Sequence, residues 1–443
     1  MNEYKLKYHL MPTHGGWLND PNGLCEYNGT YHIFYQYCKE VSGNGDKCWG
    51  HYTTKDFVHY NDLGIVLYPD TKFDKDGVYS GSCLVEDGMH FFYTGNVKLP
   101  GNHDYIRSGR LSNTMHVYSK DGITFSEKEV VLDNSNYPLD LTNHIRDPKV
   151  FKKDDEYYMV LGARNNKDEG CILVYKSKDL KNWKYCNRIT SKEKFGYMWE
   201  CPDLFELEED TFLITCPQGI DRIGYLYEND NQNGYFKINE NEATDYQTLD
   251  YGYDFYAPQS FVDEKGRRIL IAWLGLPDSI PTHPTVKDGW QMCLSLPRVL
   301  KNVNHEIYQY PIQEILDSEI NKQHVMISNE TTSFKNKASH IHACIENEFN
   351  IQINNLSFQY HNKLFSLVFN NDQTNRTQRD IEIDSIKELD IFLDTSSIEI
   401  FINKGQRVMT SRYYDEFDNL NITSVSELEI EYGEMQSFEI TNN

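Results

Sequence analysis

A hairpin pattern that occurs five times constrains this chain more than any other feature. Each copy starts at a Pro or Gly, runs through a short apolar strand, turns at acidic or Asn/Gly residues and returns as a second apolar strand. The copies begin at Pro21, Gly81, Pro148, Pro202 and Pro258, and they turn at Asn28-Gly29, Asp87-Gly88, near Asp154-Asp155, near Glu209-Asp210 and near Lys265-Gly266. A spacing of about 60 residues suits a four-stranded blade with generous loops. A second echo strengthens the register. Thr54-Lys55-Asp56, Ser119-Lys120-Asp121 and Ser177-Lys178-Asp179 each precede an aromatic four residues after the Asp, and each reads as the outer hairpin of a blade. The expected fold is all-β, with a five-bladed propeller over residues 1–301. Aromatic content agrees, because 32 Tyr and 22 Phe favour pleated surfaces.

Beyond Leu296-Pro297-Arg298-Val299-Leu300 the pattern changes. Residues 302–322 read as a linker with one helical turn around Ile312–Leu316. From 323 to 443 come short alternating strands such as Phe349–Ile353, Leu364–Phe369 and Ser397–Ile402, which predict a C-terminal β-sandwich with a structural role.

Charge narrows the partners. Against 43 Lys and Arg stand 67 Asp and Glu, a net charge of −24, so a polyanion meets repulsion and nucleic acid is not expected. No apolar run reaches the roughly 20 residues that span a bilayer, so no membrane partner is expected. The start, Met1 to Leu10, has no apolar h-region, and the ten Cys are scattered singly without metal-like spacing. Free thiols in a reducing cytoplasm fit these features.

Equivalent positions in a propeller lie around one axis, and the start of each innermost strand faces the channel mouth. Those positions carry Asp20, Tyr79-Ser80, Arg146-Asp147, Glu200-Cys201 and Tyr256-Ala257. Three blades therefore aim a carboxylate at one point, and clustered like charges raise at least one pKa and cost stability. Such clusters mark functional sites. The surrounding Trp, Asn, Arg and aromatic residues resemble a sugar pocket more than a set of hard-metal ligands, so neither a metal nor an organic cofactor is expected. Glycoside hydrolysis needs two carboxyl groups flanking the scissile bond, and a third that binds sugar matches the count.

At these residues the chain resembles glycoside hydrolase family 32, the β-fructofuranosidases. The likeness rests on Trp17 to Gly23 (WLNDPNG), Arg146 to Pro148 (RDP) and Glu200 to Pro202 (ECP). It is supported by Phe34-Tyr35-Gln36, Trp49-Gly50-His51, Tyr79 to Ser82, Asp254 to Gln259, Leu294 to Arg298, and Ser397 to Asn403 with Thr410 to Arg412. After Gln36 the chain departs from the family pattern and reads Tyr37-Cys38-Lys39-Glu40. The resemblance implies a retaining mechanism on a terminal β-fructosyl unit of sucrose, sucrose 6-phosphate or a short fructan. Asp20 is the implied nucleophile, Glu200 the implied acid and base, and Asp147 the group that holds sugar hydroxyls. Asn19, Gln36, Trp49, Tyr79, Ser80 and Arg146 are the implied substrate-binding residues, with Arg146 keeping Asp147 charged.

Competing readings are concrete. An exo-acting fructanase is the alternative within enzymes, and a non-catalytic sugar-binding propeller is the alternative outside them. Trp273 divides evenly between core and pocket, and Cys201 is expected to pack beside Glu200. The loop Asn96 to Arg110 concentrates positive charge in an acidic chain. It is either a solvated loop or the place where Lys98, Arg107 or Arg110 meets a substrate phosphate.

Overall fold

A computed structural model of the protein describes residues 4–277, 282–370 and 374–442. The polypeptide forms a five-bladed propeller followed by a sandwich, and strands dominate it. The innermost strands of blades 1 to 5 are Gly16–Tyr27, Val78–Val85, Leu141–Lys153, Met198–Leu207 and Tyr256–Val262. Each pairs antiparallel with the returning strand of its hairpin. Positive φ at both Asn28 and Gly29, and at both Asp154 and Asp155, gives the turn twist that two-residue hairpins favour.

The hydroxyl-Lys-Asp echo has a local cause. In blade 1 Thr54 Oγ1 accepts from Phe57 N (2.9 Å), and Asp56 Oδ1 accepts from His59 N (2.8 Å). In blade 2 Ser119 Oγ accepts from Gly122 N (2.8 Å), and Asp121 Oδ1 accepts from Thr124 N (2.7 Å). Asp179 Oδ1 repeats the second contact with Asn182 N in blade 3 (2.8 Å). Short polar side chains thus replace ladder bonds at the turn into the outermost strand.

Blade 5 extends further than the hairpin pattern indicates. Its outer strands are Arg298–Val303 and Glu306–Pro311, so part of the stretch expected as linker is blade. A short helix, Gln313–Asp317, leads directly into the first sandwich strand, Glu319–Ile327. Two six-stranded sheets enclose an apolar core that includes Ile351, Phe358, Leu367, Ile391 and Ile400. The last strand, Glu439–Asn442, leaves the sandwich and pairs parallel with His59–Leu67 of blade 1. Among the described residues no helix is long and apolar enough to cross a membrane.

Buried ion pairs join sandwich to propeller. His9 lies between Asp394 and Glu399, 3.0 Å from each, and Arg298 reaches Glu399 (2.6 Å), Asp250 (3.1 Å) and Thr410 Oγ1 (2.7 Å). Burial alone pushes His9 down, but its two carboxylate partners outweigh it and raise its pKa above 6.5. Burial likewise opposes ionisation of Asp394 and Glu399, and their bonds to His9, Arg298 and backbone N–H groups win, leaving both below their ordinary values of 3.8 and 4.5. The His9 contribution is complete below pH 6.5 and is lost as pH rises through the raised value. The carboxylate contribution is present above the ordinary carboxylate range and is lost as pH falls. A His9→Gln chain is therefore expected to lose about 3 kcal/mol of stability at pH 6, with a smaller deficit at pH 9. Thermal melts of both chains at the two values check this, and an equal deficit at both contradicts it.

Candidate active site

All five innermost strands break their ladder register near the channel mouth. The irregularities fall between Leu18 and Pro21, Val78 and Gly81, Arg146 and Lys149, Glu200 and Asp203, and Tyr256 and Gln259. Bulges of this kind re-aim side chains. In three blades the residue before the proline is left-handed, with φ of 63° at Asp147, 49° at Cys201 and 48° at Ala257. A residue before proline ordinarily stays extended, so each costs on the order of 1–2 kcal/mol.

Side chains from neighbouring blades hold the bulges together. Asn22 Oδ1 of blade 1 accepts from Gly81 N of blade 2 (3.0 Å), while Ser82 Oγ donates to Pro148 O of blade 3 (2.8 Å). Thr94 Oγ1 accepts from Asp147 N (2.8 Å), and Gln259 Nε2 of blade 5 donates to Cys201 O of blade 4 (3.1 Å).

The three expected carboxylates meet within this ring. Ser80 Oγ donates to Asp20 Oδ2 at 2.5 Å. The Cys201 thiol lies 3.7 Å from Asp20 Oδ2 and 3.7 Å from Asp147 Oδ2, so its one proton serves one carboxylate at a time. Cys201 N donates to Asp147 Oδ2 at 2.9 Å. Arg146 donates through Nε to Glu200 Oε1 (3.0 Å) and stands 3.9 Å from Asp147 Oδ2. Glu200 Oε2 accepts from Tyr256 OH (2.6 Å) and Gln218 Nε2 (2.9 Å).

Arg146 stays 3.9 Å from Asp147 and opposes its protonation, as expected, and the bulge also carries the guanidinium across to blade 4, where its hydrogen bonds go to Glu200. One expectation changes. Cys201 packs on the two aspartates rather than beside Glu200.

The electrostatics follow from this crowding. Burial pushes Asp20 up to about 6, with Glu200 adding repulsion and the bonds from Ser80 and Cys201 opposing it. Burial pushes Asp147 up to about 7, where Arg146 and the Cys201 N–H oppose repulsion from Glu200 and Asp20. Burial pushes the Cys201 thiol up as well, and nearby carboxylates add to it, so sulfur remains S–H. The cluster thus retains a proton near neutral pH.

Of the expected sugar-binding residues, Asn19 Nδ2 bonds Gln36 Oε1 (3.1 Å), and Gln36 Nε2 bonds Val78 O (3.3 Å). Asn19 Oδ1 is buried with no protein partner among the described residues. Trp49 is fully buried against Phe34, Phe91 and Tyr93, and its indole N–H bonds Tyr79 O at 3.1 Å. With no surface to offer a sugar, it fixes the strand carrying Tyr79 and Ser80. Trp273 is also buried, edge-on to Trp17 at 5.9 Å, and its indole nitrogen has no protein partner among the described residues. Tyr256 was placed at the channel mouth by the repeat register, in the position in blade 5 that Glu200 holds in blade 4, but its bond to Glu200 was not expected, nor was that of Gln218. Gln218 lies opposite Met198 on the second strand of blade 4 and carries no such signal.

Among the described residues, two triads with metal-like ligand spacing lie elsewhere, Glu209/Asp210/His305 and His342/Glu388/Asp390. In each the histidine already pairs with a carboxylate at 2.8 Å, and the ion pair accounts for the cluster.

The family models for the glycosyl hydrolases family 32 N-terminal domain and C-terminal region match residues 9–311 and 321–441. The chain belongs to glycoside hydrolase family 32. It is 36% identical to a sucrose-6-phosphate hydrolase of Bacillus subtilis, an alignment covering 95% of this chain and 91% of that one. The sucrose-6-phosphate hydrolase structure from Lactobacillus gasseri superposes with a TM-score of 0.87 at 29% identity, covering 98% of this chain and 94% of that one. A Bombyx mori β-fructofuranosidase of the same family gives 0.87 at 28% identity, with 100% and 96% covered.

The raised value at Asp20 carries a stability consequence. An acid whose pKa rises on folding weakens the fold at pH above both values and not below them. Asp20→Asn is expected to stabilise the free protein by about 1–3 kcal/mol at pH 8, with the gain vanishing near pH 4. Denaturant unfolding at both values measures this, and a gain independent of pH rules out the electrostatic cause.

Proposed function

We propose that this family 32 enzyme is a retaining β-fructofuranosidase whose substrate is sucrose 6-phosphate or sucrose. The observation that carries the reading is the meeting of Asp20, Asp147 and Glu200 on one bulged ring, joined through the Cys201 thiol and the Arg146 guanidinium. Full-length likeness to sucrose-6-phosphate hydrolases supports the substrate class. All ten cysteines are free thiols, which fits action on a phosphorylated sugar in a reducing cytoplasm.

The chemistry runs as a double displacement. Asp20 attacks the anomeric C2 of the fructosyl unit, and the bond from C2 to the bridging oxygen breaks as Glu200 gives that oxygen a proton. The result is a fructosyl ester on Asp20 and a free leaving sugar. Glu200 then takes a proton from water as the water oxygen bonds C2, which releases Asp20 and fructose. A value of about 6 leaves Asp20 mostly ionised at neutral pH, as a nucleophile requires. Tyr256, Gln218 and Arg146 fix the Glu200 side chain for both proton transfers. Asp147 binds sugar hydroxyls beside the developing oxocarbenium ion. Asn19, whose Oδ1 lacks a protein partner among the described residues, contributes to the fructose pocket with Gln36, Tyr79 and Ser80.

Turnover of sucrose and its 6-phosphate should fall by about a thousandfold or more in Asp20→Ala and in Glu200→Ala. Unchanged turnover in either chain overturns the assignment. The pH profile adds a second check. Because Asp20 must be ionised, kcat/KM should decline as pH drops through about 6. Ser80→Ala removes a bond that favours the anion, so it should move this acid limb upward by as much as about one pH unit. A limb that moves downward contradicts the role given to Ser80.

A further inference from the structure

Positive charge gathers on one wall of the site in a protein whose net charge is −24. Arg146, which grips Glu200, also donates through Nη1 to His144 Nδ1 at 3.1 Å. His144 Nδ1 accepts this bond, so the ring proton sits on Nε2 and is donated to Tyr105 O at 3.2 Å. Arg110 Nε donates to the same carbonyl at 3.0 Å, and its Nη1 donates to Asn96 Oδ1 at 3.1 Å. Tyr79 stands beside Arg110, which ties this wall to the sugar pocket.

The wall is electrostatically incomplete. Arg164 and Arg107 share Asp168, each at 2.8 Å, and Arg146 has Glu200. Arg110 has no carboxylate partner among the described residues, since its hydrogen-bonded contacts are neutral oxygens. Burial and Arg146 both press on its charged form. Burial, Arg146, Arg110 and Arg164 push His144 down to about 3, so the imidazole adds no charge. A half-buried guanidinium without a counter-ion is costly, and an anion arriving there removes the cost.

We propose that Arg110, with His144 and Arg146 behind it, forms the seat for a phosphate carried on the leaving sugar. This inference rests on the fructofuranosidase reading, because it takes the leaving group to lie at Glu200. In sucrose 6-phosphate the phosphate lies one hexose ring from the oxygen that Glu200 protonates, and the positively charged wall that begins at Glu200 is the one that Arg146 connects through His144 and the Tyr105 carbonyl to Arg110. Among the basic residues of the Asn96 to Arg110 loop, the geometry selects Arg110. Arg107 is committed to Asp168 on the exposed rim, and Lys98 lies over the Tyr105 ring at 5.6 Å.

The test compares sucrose with sucrose 6-phosphate in the wild-type chain and in Arg110→Gln. The wild type is expected to prefer the phosphorylated sugar by 10- to 100-fold in kcat/KM, the size of one or two charge-assisted bonds. Arg110→Gln should remove most of that preference while lowering kcat/KM for sucrose far less, and Arg110→Lys should restore part of it. Rising salt should weaken the preference in the wild type. Binding of glucose 6-phosphate and of glucose to the intact Asp20→Asn chain, followed by calorimetry, reads the seat without turnover. Tighter binding of the phosphorylated sugar, lost when Arg110→Gln is added, supports the seat even if neither sucrose is cleaved, a failure that would fall on the fructosidase reading. Equal binding of the two sugars, or a preference that survives Arg110→Gln, overturns the proposal.

Discussion

A strand that pairs regularly presents successive side chains to opposite faces, so it cannot direct two neighbours such as Glu200 and Cys201 into one cavity. The bulge at the mouth of every inner strand removes that restriction, and the site depends on it. At Asp147 and Cys201 the backbone turns left-handed immediately before proline, and hydrogen bonds from adjacent blades fix the distorted segments. The bulge in blade 3 carries Arg146 across to Glu200, and the one in blade 4 places Cys201 against both aspartates. Relaxing any one of these turns would separate carboxylates that belong to different blades.

The strain and the charge cluster sit within a closely packed frame. Each blade buries an aromatic and aliphatic face, Trp49 and Phe91 between blades 1 and 2 being one example. The ends of the chain add closure. Residues preceding blade 1 lie on the sandwich through Asp394, and the terminal strand returns to pair with blade 1. His9, Arg298 and Glu399 join the two parts with buried charges that satisfy one another. The sandwich therefore acts as a clamp on the propeller as well as an appended domain.

Much of this was legible in the residues. Five hairpins with turn chemistry at a spacing of about 60 residues specify blades, and the one or two positions before Pro21, Pro148 and Pro202 name the three carboxylates. What escaped notice depends on contacts made only after folding. Trp49 reads as a pocket residue in its motif, yet packing between two blades buries it and leaves only its N–H to support Tyr79. Arg298 and the Ser397 to Asn403 stretch read as family markers, and the fold uses Arg298 and Glu399 at the domain junction. Strands Arg298–Val303 and Glu306–Pro311 form a further hairpin, turning at Asn304-His305 and returning with Tyr308 and Tyr310, that the five-copy pattern did not count, so the last blade extends into the stretch read as linker. Adjacency in sequence pointed Arg146 to Asp147, which it still faces at 3.9 Å, and its hydrogen bond to Glu200 was hidden because it depends on the bulge geometry.

The account stands on a carboxylate, not a water molecule, being the first group to reach the anomeric carbon. Running the reaction in the presence of methanol and identifying the first-formed methyl fructofuranoside by NMR tests this directly. Two displacements at one carbon, the first by Asp20, predict the β-anomer. Formation of the α-anomer would mean a single displacement and would contradict the account.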